Sequence, residues 1–288
     1  MGFVDLHAHS DRSDGTYTPS ELLDYAVEKK LNAIALTDHD SIDGLDEFLS
    51  RAEGKPIEAV PGIEFSTAYQ GKDVHLVGLF IDYKSEAMKG ALDEFCRSRD
   101  NRNRRMCELL CEHGVEITYE EMCETYPDAV LTRAHYGALM ISKGYVKSMA
   151  EAFDRYIGDH AKCYIPREKV TPVMAVDLVR RCGGVPILAH PPLYHMSEER
   201  LDALVHELAE NGLVGIEVLY STYHERERRQ MAGLAEKYDL LWSGGSDFHG
   251  AHKQGLDLGC GYGSLEVPEE IYQRLKEAAD RMKREIAG

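Results

Sequence analysis

Two short stretches near opposite ends of the chain carry side chains that commonly bind metal ions. His7-Ala8-His9 follows one apolar run, and Asp247-Phe248-His249 follows another. In an extended strand, residues i and i+2 point to the same side, so each pair can present two ligands to one point. One such pair alone is weak support. Two pairs, each closing a predicted strand, make a multi-metal site the leading hypothesis.

Further candidate ligands occur where other predicted strands end. The full set combines six imidazoles with three carboxylates: His7, His9, Asp14, His39, Glu64, His75, His190, Asp247 and His249. Mixed nitrogen and oxygen donors suit Mn²⁺, Fe²⁺ or Zn²⁺ better than Mg²⁺ or Ca²⁺. Because nine ligands are too many for one ion, we expect two or three divalent transition-metal ions. Ions about 3.5–4 Å apart can share a bridging hydroxide that attacks a phosphoryl centre.

Composition limits the class of protein and its partners. A chain of 288 residues, 43% hydrophobic and 29% charged, suits one globular α/β barrel. The net charge of −17 argues against binding duplex DNA, because non-specific affinity for DNA depends on neutralising phosphates. A small phosphorylated substrate remains compatible with this charge, since bound cations would make the electrostatic potential at their site positive.

The sequence also bears on the cellular compartment. It contains no apolar run near the roughly 20 residues that a membrane-spanning helix needs, so we expect no membrane partner. The seven cysteines form no Cys-x-x-Cys pair, and their odd number suits reduced thiols. We therefore expect a cytoplasmic protein. The sequence leaves its oligomeric state open.

Apolar runs alternate with helical patterns over most of the chain. Strands are predicted at residues 3–6, 32–37, 58–66, 74–81, 184–189, 214–219 and 240–244. Helices are predicted to begin after Thr18, Ser41, Thr171, Ser197 and His224, with a last helix over residues 268–286. The turn at residues 70–73 predicts a hairpin between the third and fourth strands. The pattern predicts an α/β fold with seven mostly parallel strands.

Residues 86–158 interrupt this alternation with helical patterns only, including predicted capping boxes at Thr118 and Ser148. We therefore expect a barrel built from residues 1–85 and 159–288, with residues 86–158 as a helical insertion that caps the site. Functional groups of α/β barrels collect at the carboxyl ends of the strands. Five predicted strands end beside a candidate ligand, so the candidates should share one face.

Six motifs that carry these ligands resemble the signature of the PHP (polymerase and histidinol phosphatase) superfamily. They are Asp5-Leu6-His7-Ala8-His9-Ser10, Ser13-Asp14-Gly15, Leu36-Thr37-Asp38-His39-Asp40, Gly62-Ile63-Glu64-Phe65-Ser66, Ala189-His190-Pro191 and Gly245-Ser246-Asp247-Phe248-His249. The resemblance implies a distorted seven-stranded (β/α)7 barrel with a trinuclear metal cluster. It assigns one ion to His7, His9, Glu64 and Asp247, a second to Asp14, His39 and His249, and a third to Glu64, His75 and His190.

The predicted insertion refines this resemblance. Thr132-Arg133-Ala134-His135 and the segment 152–158 resemble the branch with nucleoside 3′,5′-bisphosphate phosphatases and RNase AM-type 5′→3′ exoribonucleases. Members of this branch more often have proline where Ala134 stands. The resemblance implies that Arg133 and His135 bind substrate. A guanidinium can form two parallel hydrogen bonds with a phosphate. His135 would be a neighbouring hydrogen-bond donor or proton carrier.

Other residues near the motifs have more than one interpretation. Asp38 and Asp40 could orient His39, or they could simply end a strand and begin a helix. Either could also relay a proton to the leaving group. Asp40 is therefore, with His135, a candidate catalytic residue. The arginines at positions 97, 99, 102, 104 and 105 are either a solvated helix face or a contact surface for trailing nucleotides.

The sequence is interpreted as that of a metal-dependent phosphoric ester hydrolase in which a metal-bridging hydroxide attacks phosphorus. The expected reaction removes the 3′-phosphate of a nucleoside 3′,5′-bisphosphate, trims short 5′-phosphorylated RNA from its 5′ end, or both. The alternative is a small-molecule phosphomonoesterase similar to histidinol phosphatase. A non-catalytic metal-binding module and a metal-dependent amide hydrolase are less favoured, because all nine ligand positions are filled and Arg133 suits phosphate.

Overall fold

The computed structural model describes residues 2–127, 129–159, 161–165 and 170–287. Seven strands form one sheet in chain order, and the fold is the predicted seven-stranded α/β barrel. The strands are β1 (Val4–Asp5), β2 (Ala33–Leu36), β3 (Glu58–Tyr69), β4 (Lys72–Leu79), β5 (Val185–Leu188), β6 (Gly215–Tyr220) and β7 (Leu241–Gly245).

The sheet closes on itself where β1 meets β7. The Leu6 amide donates to the carbonyl of Gly244 at 3.2 Å, and the Asp247 amide donates to the carbonyl of His7 at 2.8 Å. A parallel bridge between Ala8 and Phe248 continues this contact beyond both strands. The two ligand motifs at opposite ends of the sequence are therefore neighbours.

The sheet departs from parallel pairing only at β4, which runs antiparallel to both β3 and β5. β3 and β4 form the predicted hairpin, whose two turn residues, Gln70 and Gly71, have φ angles of 49° and 77°. Two successive positive φ values produce the turn whose twist matches that of antiparallel strands. The hairpin carries Glu64 and His75 on adjacent strands, in the same sheet.

Helices cover the barrel and form the insertion. Their bounds are α1 (Pro19–Glu28), α2 (Leu45–Ala52), α3 (Glu86–Glu112), α4 (Tyr119–Thr125), α5 (Arg133–Ser142), α6 (Met149–Ala152), α7 (Pro172–Arg181), α8 (Glu198–Glu210), α9 (Glu225–Lys237) and α10 (Glu269–Ala287). A π-helical turn, Phe153–Ile157, continues α6. None of the described helices is long and apolar enough to cross a membrane.

Local side-chain chemistry explains which helix starts were predicted correctly. Thr18 caps α1 with a complete capping box. The prediction that Ser41 opens α2 is wrong: its hydroxyl accepts the Asp43 amide at 3.2 Å, which forms a turn, and the helix begins at Leu45. At Thr118 and Ser148 the hydroxyl caps the helix as predicted, while the paired glutamates bind Lys143 and Arg155.

The insertion has a hydrophobic core of its own. Met106 and Leu110 of α3 pack there with Met122, Tyr136 and other buried residues of the following helices. Separate apolar clusters join the strands to the helices around the barrel and to α10. The boundaries 1–85, 86–158 and 159–288 stay a prediction. The separate core supports an insertion, whereas Met88, Leu92 and Phe95 at the start of α3 pack in the barrel cluster.

Candidate metal centre

All nine predicted ligands lie together at one end of the barrel. His7 and His9 follow β1, His39 follows β2, His190 follows β5, and Asp247 and His249 follow β7, while Glu64 and His75 lie within the hairpin. Eight of the nine residues are at most 8% exposed, and His75 is partly buried. The expectation that the strand ends would gather these side chains on one face agrees with this geometry.

Glu64 lies at the centre of the cluster. Its Oε2 atom is 3.3 Å from Nε2 of both His7 and His9 and 3.0 Å from Nδ1 of His39. Its Oε1 atom is 2.9 Å from Nδ1 of His75 and 3.0 Å from Nε2 of His190. The two carboxylate oxygens thus face two different sets of imidazoles, which is the arrangement required of a bridging ligand.

A second group forms around Asp14. Its Oδ1 atom is 3.1 Å from Nε2 of His249, and its Oδ2 atom is 3.7 Å from Nε2 of His39. His9 contributes to the same group, in which the ligand atoms lie within 4.8 Å of one another. The Thr132 hydroxyl, from the insertion, donates to Oδ2 of Asp14 at 2.9 Å. The insertion therefore touches this group directly.

Asp247 divides its two oxygens between the cluster and the surrounding protein. Oδ1 is 3.2 Å from Nε2 of His9 and 3.6 Å from Nε2 of His7. Oδ2 accepts hydrogen bonds from the Tyr220 hydroxyl and the Lys253 ammonium, each at 2.5 Å. The outer oxygen is thereby fixed, and the inner one faces the imidazoles.

The donor set fits divalent metal ions. Nε2 of His7, Nε2 of His9, Nδ1 of His39 and Oδ1 of Asp14 are buried, and their close contacts with other ligand atoms lack the geometry of a hydrogen bond. Unpaired buried polar atoms are costly, so such atoms converging on one space are expected where a cation binds. The nine residues form four overlapping groups of potential ligands. Clusters of this kind are suited to more than one ion.

The electrostatics of the cluster also favour bound cations. Burial opposes ionisation of Glu64, but His7 and His39 hold its carboxyl pKa well below the usual range. Burial disfavours a charged His9, yet the nearby carboxylates of Asp247 and Glu64 raise its pKa to about 9. Protonated imidazole supplies the positive charge that the buried carboxylates require. Metal ions would supply the same charge.

A further layer of acids holds the ligands in position. Oε1 of Glu217 is 2.8 Å from Nδ1 of His7, and its Oε2 accepts the His190 amide at 2.6 Å. Asp38 binds the Ser10 amide and the hydroxyls of Ser10 and Ser13, which ties the loop after β1 to the loop after β2. Glu217 is not among the residues predicted from the sequence. It is the one acid within the apolar run 215–219, and an acid in such a run indicates a buried charge with a partner.

Replacing Glu217 with glutamine is expected to lower metal affinity. The carboxylate fixes the tautomer of His7, and loss of such a partner typically costs about 10- to 100-fold in metal affinity or activity. Chelator competition with Mn²⁺ measures the affinity directly. Glu225→Gln on the exposed start of α9 is the matched control. Equal affinities of the Glu217 variant and the control would contradict this role.

The predicted phosphate-binding Arg133 lines the same cavity, but its guanidinium already has partners. Nη2 is 2.9 Å from Oδ2 of Asp73, and Nη1 is 3.0 Å from Oδ1 of Asp159. The guanidinium also lies over the rings of Phe153 and Tyr164, 5.4 Å from each centroid. It is thus fixed at the cavity wall by groups on both the hairpin and the insertion.

His135 is placed differently from the sequence-based expectation. Its Nδ1 accepts the Thr132 amide at 2.9 Å, so the ring caps α5. The side chain packs against Tyr126, and burial lowers its pKa to about 4. It is not among the described residues that line the cavity. This geometry does not support direct contact with substrate or a role as proton carrier.

Asp40 also has a structural assignment. One carboxylate oxygen accepts the Ser66 amide at 3.1 Å, and the other pairs with the buried guanidinium of Arg99. With both oxygens bound, Asp40 is poorly placed to relay a proton. It ties the residue after His39 to β3 and to α3, so the interpretation as an orienting residue fits better.

The five arginines of α3 do not share one environment. Arg97, Arg104 and Arg105 are exposed, and Arg104 and Arg105 pair with nearby glutamates. Arg99 and Arg102 are only 4% and 8% exposed and line the cavity. The interpretation as a solvated face is therefore wrong for these two, because the helix turns them toward the barrel. The alternative, a contact surface for trailing nucleotides, stays a prediction.

The cavity above the ligands has a volume of about 260 Å³. Besides the ligands, its walls carry cationic, acidic, hydroxyl, aromatic and apolar side chains: Arg99, Arg102, Arg133, Lys253, Asp73, Ser66, Thr132, Tyr220, Phe153, Ala134 and Leu193. The cationic side chains point to an anionic substrate. Lys253 was not identified from the sequence.

Comparison with known proteins agrees with this geometry. The model of the PHP domain family matches residues 5–170. The Salmonella typhimurium protein named 5′-3′ exoribonuclease Rnm is 34% identical over 85% of this chain and 84% of its own length. The Chromobacterium violaceum 3′,5′-nucleoside bisphosphate phosphatase is 31% identical over 90% of this chain and 91% of its own length.

A solved structure from Chromobacterium violaceum has a similar fold. It is described as an amidohydrolase with bound sulfate and no metal. Its TM-score with this chain is 0.86 at 29% identity, and the alignment covers 96% of this chain and 97% of that one. The resemblance first identified from six motifs therefore extends to the whole barrel and its insertion.

Proposed function

This chain belongs to the PHP domain family, and we propose that its cavity is the active site of a metal-dependent phosphoesterase. The proposed reaction removes the 3′-phosphate of nucleoside 3′,5′-bisphosphates and trims short 5′-phosphorylated RNA in the 5′→3′ direction. Both reactions need recognition of a 5′-phosphate and cleavage at the 3′ position of the same sugar. Relatives named for each reaction support this choice. A cytoplasmic location follows from these substrates and is part of the proposal.

One observation carries the proposal: the Glu64-centred cluster and Arg133 line the same 260 Å³ cavity. The cluster would hold the phosphate that is cleaved, and Arg133 with its neighbour Arg102 would attract the 5′-phosphate. Guanidinium groups bind phosphate through paired hydrogen bonds, which fixes its position as well as its charge.

The ligand groups suit three ions. We assign the first to His7, His9, Glu64 and Asp247, and the second to Asp14, His39 and His249. Glu64 would share the third with His75 and His190. The two oxygens of Glu64, which face different imidazoles, support the bridging role. When bound, Mn²⁺, Fe²⁺ or Zn²⁺ would supply an activated water and stabilise charge on the phosphoryl oxygens.

The residues of the chain perform the remaining tasks. The ligands would position the ions that bind the reacting phosphate, and the buried Glu217 and Asp38 keep those ligands oriented. Attack of water on phosphorus breaks the bond between phosphorus and O3′, and O3′ gains a proton. The products are a nucleoside 5′-phosphate and either inorganic phosphate or an RNA shortened by one nucleotide with a new 5′-phosphate.

A histidinol-phosphatase-like reaction is the second candidate, and one observation favours it. Asp73 lines the cavity beside Arg133, and a carboxylate at the cavity wall could bind the ammonium group of an amino-alcohol phosphate. An amide hydrolase, as the solved relative is described, would use similar ligands. The arginines of the cavity favour an anionic substrate over a neutral amide.

Phosphate release by Mn²⁺-loaded protein tests the proposal. The substrates to compare are adenosine 3′,5′-bisphosphate, adenosine 3′-monophosphate and histidinol phosphate. The proposal predicts the highest kcat/KM for the bisphosphate. Equal or faster turnover of histidinol phosphate would favour the second candidate instead.

Arg133→Ala is expected to act on substrates that carry a 5′-phosphate. Loss of a charge-assisted hydrogen bond should lower kcat/KM for the bisphosphate by about 10- to 100-fold and leave adenosine 3′-monophosphate much less affected. Arg104→Ala, on the exposed face of α3, is the matched control. Equal losses on both nucleotides would remove the proposed role of Arg133.

A further inference from the structure

Lys253 places a positive charge beside the candidate metal centre. The proposed function gives this charge no role. Its Nζ atom is 2.5 Å from Oδ2 of Asp247 and 3.2 Å from the Asp247 carbonyl oxygen. The side chain is 32% exposed and lines the cavity that contains the ligands. A single carboxylate therefore separates this ammonium group from the imidazoles of His7 and His9.

The backbone holds Lys253 in this position. A turn at Gly250–His252 precedes it, and the Ala251 amide donates to the Thr16 hydroxyl at 3.0 Å. Gly250 has a φ of 62°, and a Cβ atom there would lie 2.0 Å from the Thr16 hydroxyl oxygen. The turn thus requires glycine and is fixed against the loop after β1. A side chain on a fixed turn loses little further backbone freedom when it binds a ligand.

Lys253 and Arg133 approach the cavity from different sides of the barrel. Lys253 lies on the loop after β7, whereas Arg133 is held by Asp73 on the β3–β4 hairpin. β4 and β7 are three places apart in the seven-stranded order. The cavity therefore has a cationic group on each of two sides, with the ligand cluster between them. This arrangement suits a substrate with separated phosphates.

We propose that Lys253 is a catalytic residue that contacts the nonbridging oxygens of the phosphoryl group cleaved at the metal centre. The inference rests on the proposed phosphoesterase function. A phosphoryl group held by the ligand cluster would lie on the cavity side of Asp247, within reach of the four-carbon Lys253 side chain. Its ammonium would stabilise the charge that builds on these oxygens during attack.

A purely structural role for Lys253 makes a different prediction. If its ammonium only fixed Oδ2 of Asp247, its removal would weaken metal binding and leave phosphate affinity of the loaded protein unchanged. Metal content and phosphate affinity therefore have to be measured separately. Inorganic phosphate is the appropriate probe, because it is a product of the bisphosphate reaction and lacks the nucleoside.

The experiment compares Lys253→Met, Lys253→Arg and the control Lys237→Met on the exposed end of α9. Each protein is loaded with Mn²⁺, its metal content is measured, and phosphate affinity is determined by calorimetry. Because the Tyr220 hydroxyl still binds Oδ2 of Asp247 in Lys253→Met, we expect this variant to stay loaded at saturating Mn²⁺ and to keep its melting temperature. We expect it to lose about 10- to 100-fold in phosphate affinity and in kcat. Lys253→Arg should recover most of the affinity, and Lys237→Met should match the parent.

Two results would overturn the inference: unchanged phosphate affinity in Lys253→Met, or a loss of metal that accounts for the whole loss of activity. The phosphate measurement needs no nucleotide turnover, so it is independent of the substrate assignment. If phosphate affinity falls as expected while no nucleotide is hydrolysed, the proposed substrates are wrong and the contact of Lys253 with phosphate stands.

Discussion

Replacing Asp247 with alanine is expected to abolish turnover while the protein remains folded. Asp247 faces His7 and His9 with one oxygen, so its removal takes a carboxylate from the centre of the cluster. Metal ions contribute several kcal/mol of transition-state stabilisation, and the loss should reach about 10³-fold or more in kcat. Steady-state kinetics with adenosine 3′,5′-bisphosphate measure this loss.

The control for this variant is Asp202→Ala, whose carboxylate lies on α8 and pairs only with surface Lys237 among the described salt bridges. The control should retain parental kcat and metal content. Thermal melting of both variants shows whether the fold is retained. Substantial activity in the Asp247 variant would contradict the assignment of this residue to the metal centre.

Replacing Asp40 with alanine is expected to have the largest effect on stability. The substitution leaves the guanidinium of Arg99 buried and without its carboxylate partner. Breaking a buried ion pair from one side typically costs about 3–5 kcal/mol. Urea denaturation of the two proteins gives the difference in free energy of unfolding.

A graded comparison separates the charge of Asp40 from its hydrogen bonds. Asp40→Asn keeps a group that can accept the Ser66 amide, so its loss should lie between the parent and Asp40→Ala. Asp24→Ala removes an exposed partner of Arg51 and should cost little, because solvent screens such pairs. Equal stability of Asp40→Ala and Asp24→Ala would contradict the role given to the Asp40–Arg99 pair.

The convergence of the candidate metal ligands could be predicted because their spacing is local. His7 and His9 are two residues apart at the end of a strand, and the carboxyl ends of barrel strands meet at one face. His75 depended on its position in the hairpin and on the family resemblance. The start of α1 could be predicted for the same reason, because the capping residues Thr18 and Glu21 lie within one helical turn.

The outer residues of the site could not be predicted because their partners are distant in the sequence. Glu217 binds His7 across 210 positions, and Arg99 meets Asp40 across 59. His135 matched a motif, but its ring caps α5. This role follows from the start of the helix at Arg133, which the sequence did not predict. Arg133 lines the cavity, and its predicted role in binding phosphate stays a prediction. Its partners Asp73 and Asp159 could not be predicted, because they are distant in the sequence.

The central claim is tested most directly with one RNA in two forms. A short oligonucleotide with a 5′-phosphate and the same sequence with a 5′-hydroxyl are incubated with Mn²⁺-loaded protein, and the products are followed by mass spectrometry. The account predicts stepwise release of nucleoside 5′-phosphates from the phosphorylated RNA and far slower cleavage of the hydroxyl form. Failure to cleave either RNA or to release phosphate from the 3′,5′-bisphosphate would contradict it.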